Sequence, residues 1–164
     1  MRTDIPISQV FDAHELESRG LREFYRIEFL TPDSTTLYLT PHNRIHWLDN
    51  VWEFLPCKLT DNAQNSSGEQ SRPKFSAVNP DGLFSLWIEN GYAEGAIVTR
   101  YRALLTDIDA GVAAYTKALW VISKVVSLNK DMVVFELRST LDGANYQLPA
   151  RSFYPPEFSH VSLR

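Results

Sequence analysis

The stretch Arg72-Pro73-Lys74-Phe75-Ser76-Ala77-Val78-Asn79-Pro80 divides the chain and sets its reading as a β protein. Phe75, Ala77 and Asn79 alternate with Lys74, Ser76 and Val78, the two-residue period of a strand with one face turned inward. Pro73 sits at the strand start, where a missing N–H costs least, and Pro80 closes the strand. Before it, residues 62–71 are polar and contain glycine, as in a loop. After it, Asp81-Gly82 leads into Leu83-Phe84-Ser85-Leu86-Trp87-Ile88, which predicts a short helix over residues 82–90 ended by Gly91.

Working outward, strand signals dominate on both sides. Residues 22–30 place Tyr25, Ile27 and Phe29 on one face and Arg26 and Glu28 on the other. Thr31-Pro32-Asp33-Ser34 forms a turn into a returning strand at residues 35–40. Ile45-His46-Trp47 and Val51-Trp52-Glu53-Phe54 read as a hairpin turning at Asp49-Asn50, two residues that accept positive φ. Cys57-Lys58-Leu59-Thr60 adds a strand. Toward the C-terminus, residues 96–107 read as a strand, and residues 119–128 and 132–139 as the clearest β pair, joined by Asn129-Lys130-Asp131. Residues 113–118 suit either a helix, for their alanines, or the start of the strand that follows. Residues 7–18 predict an amphipathic helix with Ile7, Val10, Phe11, His14 and Leu16 on one face, capped by Ser8. Its apolar face either packs on its own domain or lies across a neighbour. The fold class is therefore mainly β: an antiparallel β-sandwich or barrel with one or two short helices and extended terminal arms. Residues 1–148 form the β-rich domain. Residues 149–164, with three prolines and three aromatics, form an extended arm that needs a surface to lie on.

Bulk composition fits a folded domain. The 164 residues are 44% hydrophobic and include nine Phe, seven Tyr and four Trp, enough for a real core. The net charge of -4 comes from dispersed acids and bases, with no basic stripe of the kind that neutralises phosphates. The N-terminal residues lack the apolar core of a signal peptide, and no apolar run has the span of a membrane helix. These features predict a soluble chain made in a cytoplasm, without direct sequence-specific contact to nucleic acid. The single cysteine, Cys57, excludes an intrachain disulfide framework.

Chemistry-bearing motifs are sparse. His42 and His46 are four apart, but Pro41 and the flanking strand signals argue against one helical face, and His14 and His160 are remote. The seven glycines are dispersed, so no phosphate-cradling loop forms. Cys57 follows Pro56 with no histidine nearby and reads as a small, partly buried residue. Asp107 and Asp109 lack the wider ligand series of a calcium loop. Trp47 and Trp52 are either hairpin packing or an aromatic platform for a host glycan, the reading of the chain as a carbohydrate-binding module. No catalytic, cofactor or metal site is expected.

In order and local pattern, however, the chain resembles the phage lambda-type minor tail protein L family. The resemblance runs through Phe24-Tyr25-Arg26-Ile27-Glu28-Phe29-Leu30, then Trp47 with Val51-Trp52-Glu53-Phe54-Leu55-Pro56, then Ser71-Arg72-Pro73-Lys74-Phe75-Ser76-Ala77-Val78-Asn79. Gly95-Ala96-Ile97-Val98-Thr99-Arg100-Tyr101-Arg102-Ala103 and the region from Trp120 to Ser139, with Leu148-Pro149-Ala150-Arg151, complete it over residues 22–158. It implies a structural virion protein of a phage tail tip, joining the distal tail ring to the hub and central fibre as a trimer or hexamer. It also implies a stay in the host cytoplasm during assembly. The family's cysteine-rich C-terminal module has no counterpart after Cys57, so no cluster is carried over. Candidate assembly-interface residues are Arg72, either a solvated strand-start charge or an inter-subunit ion pair, and Phe153, Tyr154 and Phe158, whose rings would be an exposed apolar patch on a monomer.

Overall fold

The computed structural model describes residues 5–13, 20–60 and 72–140. In chain order these form α1 (Ile7–Asp12), β1 (Leu21–Glu28), β2 (Thr36–Thr40), β3 (Ile45–Trp47), β4 (Asn50–Phe54), β5 (Cys57–Thr60), β6 (Lys74–Val78), α2 (Ser85–Glu89), β7 (Ile97–Leu104), α3 (Leu105–Asp109), β8 (Thr116–Leu128) and β9 (Met132–Arg138). The nine strands make one sheet in the order β3-β4-β2-β1-β7-β8-β9-β6-β5. The predicted β class holds, and the pairings are antiparallel with one exception: β2 and β4 run parallel. Pro41 and its neighbours turn the chain out of β2 into the short β3, so the hairpin returns with β4 heading the same way as β2.

The sheet rolls up because β4 and β5 are nearly one strand, interrupted at Leu55-Pro56. Leu55 N donates to Thr40 O of β2 at 2.9 Å, and Val78 N of β6 donates to Pro56 O at 3.0 Å. One segment thus touches both ends of the sheet, and the architecture is barrel-like. The alternating residues read from the sequence fill its interior. Tyr25, Ile27, Phe75, Val133, Phe135 and Leu137 are each 0% exposed. Tyr25 and Phe75 lie on strands that do not pair, yet their rings meet edge-on at 5.2 Å across the core. Two register shifts in β8, at Ile122/Lys124 and Val125/Ser127, bend that long strand so that its first half serves β7 and its second β9.

A second layer covers the outer side of β1 and β7. Phe24, Trp47, Trp52, Tyr101, Ala103 and Ile108 are buried together, with Phe24 stacked on Trp47 at 4.5 Å. Here the structure departs from two sequence expectations and decides between two alternatives at a third place. The hairpin turns one residue earlier than Asp49-Asn50: Leu48 and Asp49 take the positive φ values, 50° and 57°. Positive φ at leucine costs about 1–2 kcal/mol, and Leu48 packs against the aromatic layer in return. The strand expected through residue 107 stops at Leu104, where Leu105–Asp109 coils into α3 and drives Ile108 into the same layer. Of the ambiguous residues 113–118, none is helical, and β8 begins at Thr116.

The opening stretch has a structural task of its own. Buried Asn79 accepts from Phe84 N through Oδ1 at 3.0 Å and donates from Nδ2 to Asn129 O at 3.0 Å. It clasps the approach to α2 onto the β8–β9 turn, and α2 then covers the barrel with Trp87 stacked on Phe29 at 4.7 Å.

Candidate functional site

The candidate site is α1, whose apolar side chains are exposed. It begins directly after Pro6, which has an extended backbone (φ -55°, ψ 140°) and supplies no side-chain cap. The predicted cap, Ser8, lies inside the helix instead, and its Oγ donates to Asp107 Oδ2 of α3 at 2.8 Å. Gln9 Nε2 donates to Arg102 O of β7 at 2.8 Å. A helix of six residues is too short to stand alone in water, and these two polar tethers, each spanning more than ninety residues of sequence, help to fix its place. They also fix its orientation. The polar side faces the sheet, while Ile5, Ile7, Val10 and Phe11 face outward at 61%, 73%, 44% and 61% exposure. Of the two predicted fates of the apolar face, packing on its own domain is not seen for these residues. His14 and Leu16 of the same predicted helix lie outside the described residues.

The other sequence candidates fall at separate places. Arg72 is more than a solvated charge: its Nη1 meets Glu136 Oε1 of β9 at 2.9 Å, within the chain, and Lys124 approaches the other oxygen at 3.5 Å. Burial pushes the Glu136 carboxyl up, but the hydrogen bond from Arg72 and the Lys124 ammonium outweigh it and hold it below its ordinary value. Phe153, Tyr154 and Phe158, and the whole predicted arm 149–164, lie outside the described residues, as does His160. Trp47 and Trp52 are 6% and 1% exposed, and Trp52 Nε1 donates to Trp47 O at 2.8 Å. A sugar ring cannot reach either indole face, so the glycan platform is overturned in favour of packing.

Cys57 is half-buried, and burial together with the Glu23 carboxylate pushes its thiol up to about 12, which keeps it protonated and poorly nucleophilic. Asp107 is engaged by Ser8. Among the described residues no group of three or more His, Cys, Asp or Glu is placed to hold a metal ion, and no helix is long and apolar enough to cross a membrane. Sequence reading missed Gln9 and the Ser8–Asp107 tether. No local pattern could have supplied them, because each partner is placed by the sheet.

No family model matches the chain, and no curated protein does. Among solved structures, a chain of the "Virion of native gene transfer agent (GTA) particle" aligns with a TM-score of 0.60 at 16% identity. The alignment covers 92% of this chain and 50% of that one, so this chain spans about half the length of its structural neighbour. At that identity the likeness is one of fold: the barrel-like sheet described above is shared with a protein of a gene transfer agent virion.

Proposed function

We propose that this chain is a structural, non-catalytic subunit of a phage-like particle. Within that particle it sits at the tail tip, in a ring of three or six copies joining the distal tail tube to the hub and central fibre. The observation that carries the reading is the fold shared over 92% of the chain with a protein of a gene transfer agent virion. The ordered resemblance to the lambda-type minor tail protein L family supports the finer position at the tail tip. The outward apolar face of α1 supports assembly through a neighbour, since such faces on soluble chains mark contacts with other molecules. The particle's other tail proteins are the partners of this reading.

The experiment is to purify the particles made by cells that encode the chain and to label them with gold-conjugated antibody against it. The expected result is that the chain copurifies with intact particles and gold sits at one end of the tail. Particles that lack the chain would overturn the particle role. Labelling on the head or along the whole tail would overturn the tail-tip position alone.

A further inference from the structure

Beside the aromatic layer, the outer face of β1, the Pro41–Arg44 bend and α3 enclose a recess of about 190 Å³. Its floor is apolar: Phe24 and Ile108 are buried there, with Ile45 and Leu105 at the sides. Its rim is basic, carrying Arg22, His42 and Arg44. The bend is held in place by Thr40, whose buried hydroxyl donates to Glu23 O at 3.2 Å and accepts from His42 N at 3.3 Å.

The three rim groups differ in what they already hold. Arg44 meets Glu53 at 3.1 Å in an exposed pair, which is worth little and easily exchanged. Arg22 is half-buried and has no ion pair among the described residues. His42 stands near enough that burial and the Arg22 charge hold its imidazole below the ordinary range, with Glu23 opposing them more weakly. A partly desolvated guanidinium beside an apolar floor, without a counter-charge among the described residues, is matched by a carboxylate in a two-pronged hydrogen bond.

Size decides the kind of ligand. A dry apolar cavity of about 150 Å³ takes a benzene ring, so this recess has room for one aromatic or branched aliphatic side chain. Small-molecule sites run to roughly 300–1,000 Å³, and this one is below that range. We infer that the recess is a docking site for an acidic segment of a partner protein, seating one aromatic or aliphatic side chain between the half-buried Ile45 and Leu105, above buried Phe24 and Ile108, with a neighbouring carboxylate on Arg22. The proposal stands apart from the particle role and holds for any partner with that chemistry.

The test uses the full chain and three peptides: acetyl-Glu-Phe-Glu-amide, its acetyl-Gln-Phe-Gln-amide counterpart, and acetyl-Glu-Ala-Glu-amide. Binding is followed by amide chemical shifts in NMR. The first peptide is expected to shift Phe24, Thr40, His42 and Ile108. Loss of the charge-assisted contacts should weaken the second by about tenfold, and the third should not bind measurably. Arg22→Gln should erase the difference between the first two while leaving ring-dependent binding, and Arg44→Gln should change it less, because Glu53 already occupies that group. Equal binding of all three peptides, absence of binding, or shifts away from the recess would overturn the inference. Tighter binding of free N-acetylphenylalanine than of the first peptide would overturn the partner segment in favour of a small carboxylate ligand.

Discussion

Replacing both Ile7 and Phe11 by alanine separates assembly from folding. The two side chains are 73% and 61% exposed on the isolated chain. Full burial of such a side chain contributes roughly 1.5–3 kcal/mol, so covering the area still open contributes roughly 1–2 kcal/mol each. Removing both should weaken docking by roughly 2–4 kcal/mol, or about 30- to about 1,000-fold. The fold itself should barely respond. Alanine is the best helix former, and the tethers through Ser8 and Gln9 are untouched. Urea denaturation of the purified variant is expected within about 0.5 kcal/mol of the parent. Cells making particles with the variant in place of the parent should yield particles depleted of it.

Two results would refute the reasoning. A loss of stability above about 1.5 kcal/mol would mean that the α1 face packs within its own chain, since changes at exposed sites fall well below that. Particles that incorporate the variant at the parental level would mean that the face is no assembly contact. Ser8→Ala with Gln9→Ala provides the complementary perturbation: it releases α1 from Asp107 and Arg102 while keeping the apolar face, and incorporation should fall there as well.

Three further outcomes are expected. Phe75→Ala should cost about 3–5 kcal/mol in urea denaturation, because its ring is fully buried between Tyr25 and Phe135 at the barrel centre. With the Cys57 thiol pushed from 9.0 up to about 12, the folded chain keeps a proton that the unfolded chain releases. Stability should then fall as pH rises from 9 toward 12, Cys57→Ala should flatten that fall, and iodoacetamide should react slowly until the chain is unfolded. Because Glu136 is held below its ordinary value by Arg72 and Lys124, its stabilising contribution is present above the unfolded-state value and lost as pH falls through the folded one. Arg72→Ala should raise the Glu136 titration measured by carbonyl NMR and change stability at neutral pH by less than about 1 kcal/mol.

The parts of the fold legible in the sequence are those governed by a local period. Phe75, Ala77 and Asn79 alternate with Lys74, Ser76 and Val78, Val133, Phe135 and Leu137 alternate with Val134, Glu136 and Arg138, and a strand has only two faces to choose from. The illegible parts depend on distant residues. Ala103-Leu104-Leu105 suits strand and helix equally, so the point where β7 gives way to α3 is set by the aromatic layer that receives Ile108. Positive φ at Leu48 runs against local preference and is settled by the same layer. The parallel pairing of β2 with β4, and the closure through Leu55-Pro56, rest on hydrogen bonds that no spacing encodes. The two tryptophans illustrate the limit: their types mark an aromatic cluster, but only the fold shows which way it faces.

The orientation of α1 is where sequence and structure part most usefully. The three α-helices among the described residues are five or six residues long, and none is stable by itself. Two of them are held by apolar burial: Trp87 of α2 lies on Phe29, and Ile108 of α3 enters the aromatic layer. Periodicity predicts the same arrangement for α1, since Ile7, Val10 and Phe11 share a face. Instead α1 makes hydrogen bonds to the sheet and α3 from its polar side, through Gln9 and Ser8, and Ile7, Val10 and Phe11 are exposed. Each such bond adds only about 0.5–1.5 kcal/mol net, less than a buried Phe and Ile would give if the helix turned over. Nothing in the periodicity of α1 tells an inward from an outward apolar side, so its orientation is set by the distant partners Asp107 and Arg102. A helix attached in that way gains most of its available burial from a second molecule, which ties its inverted placement to the assembly role proposed above.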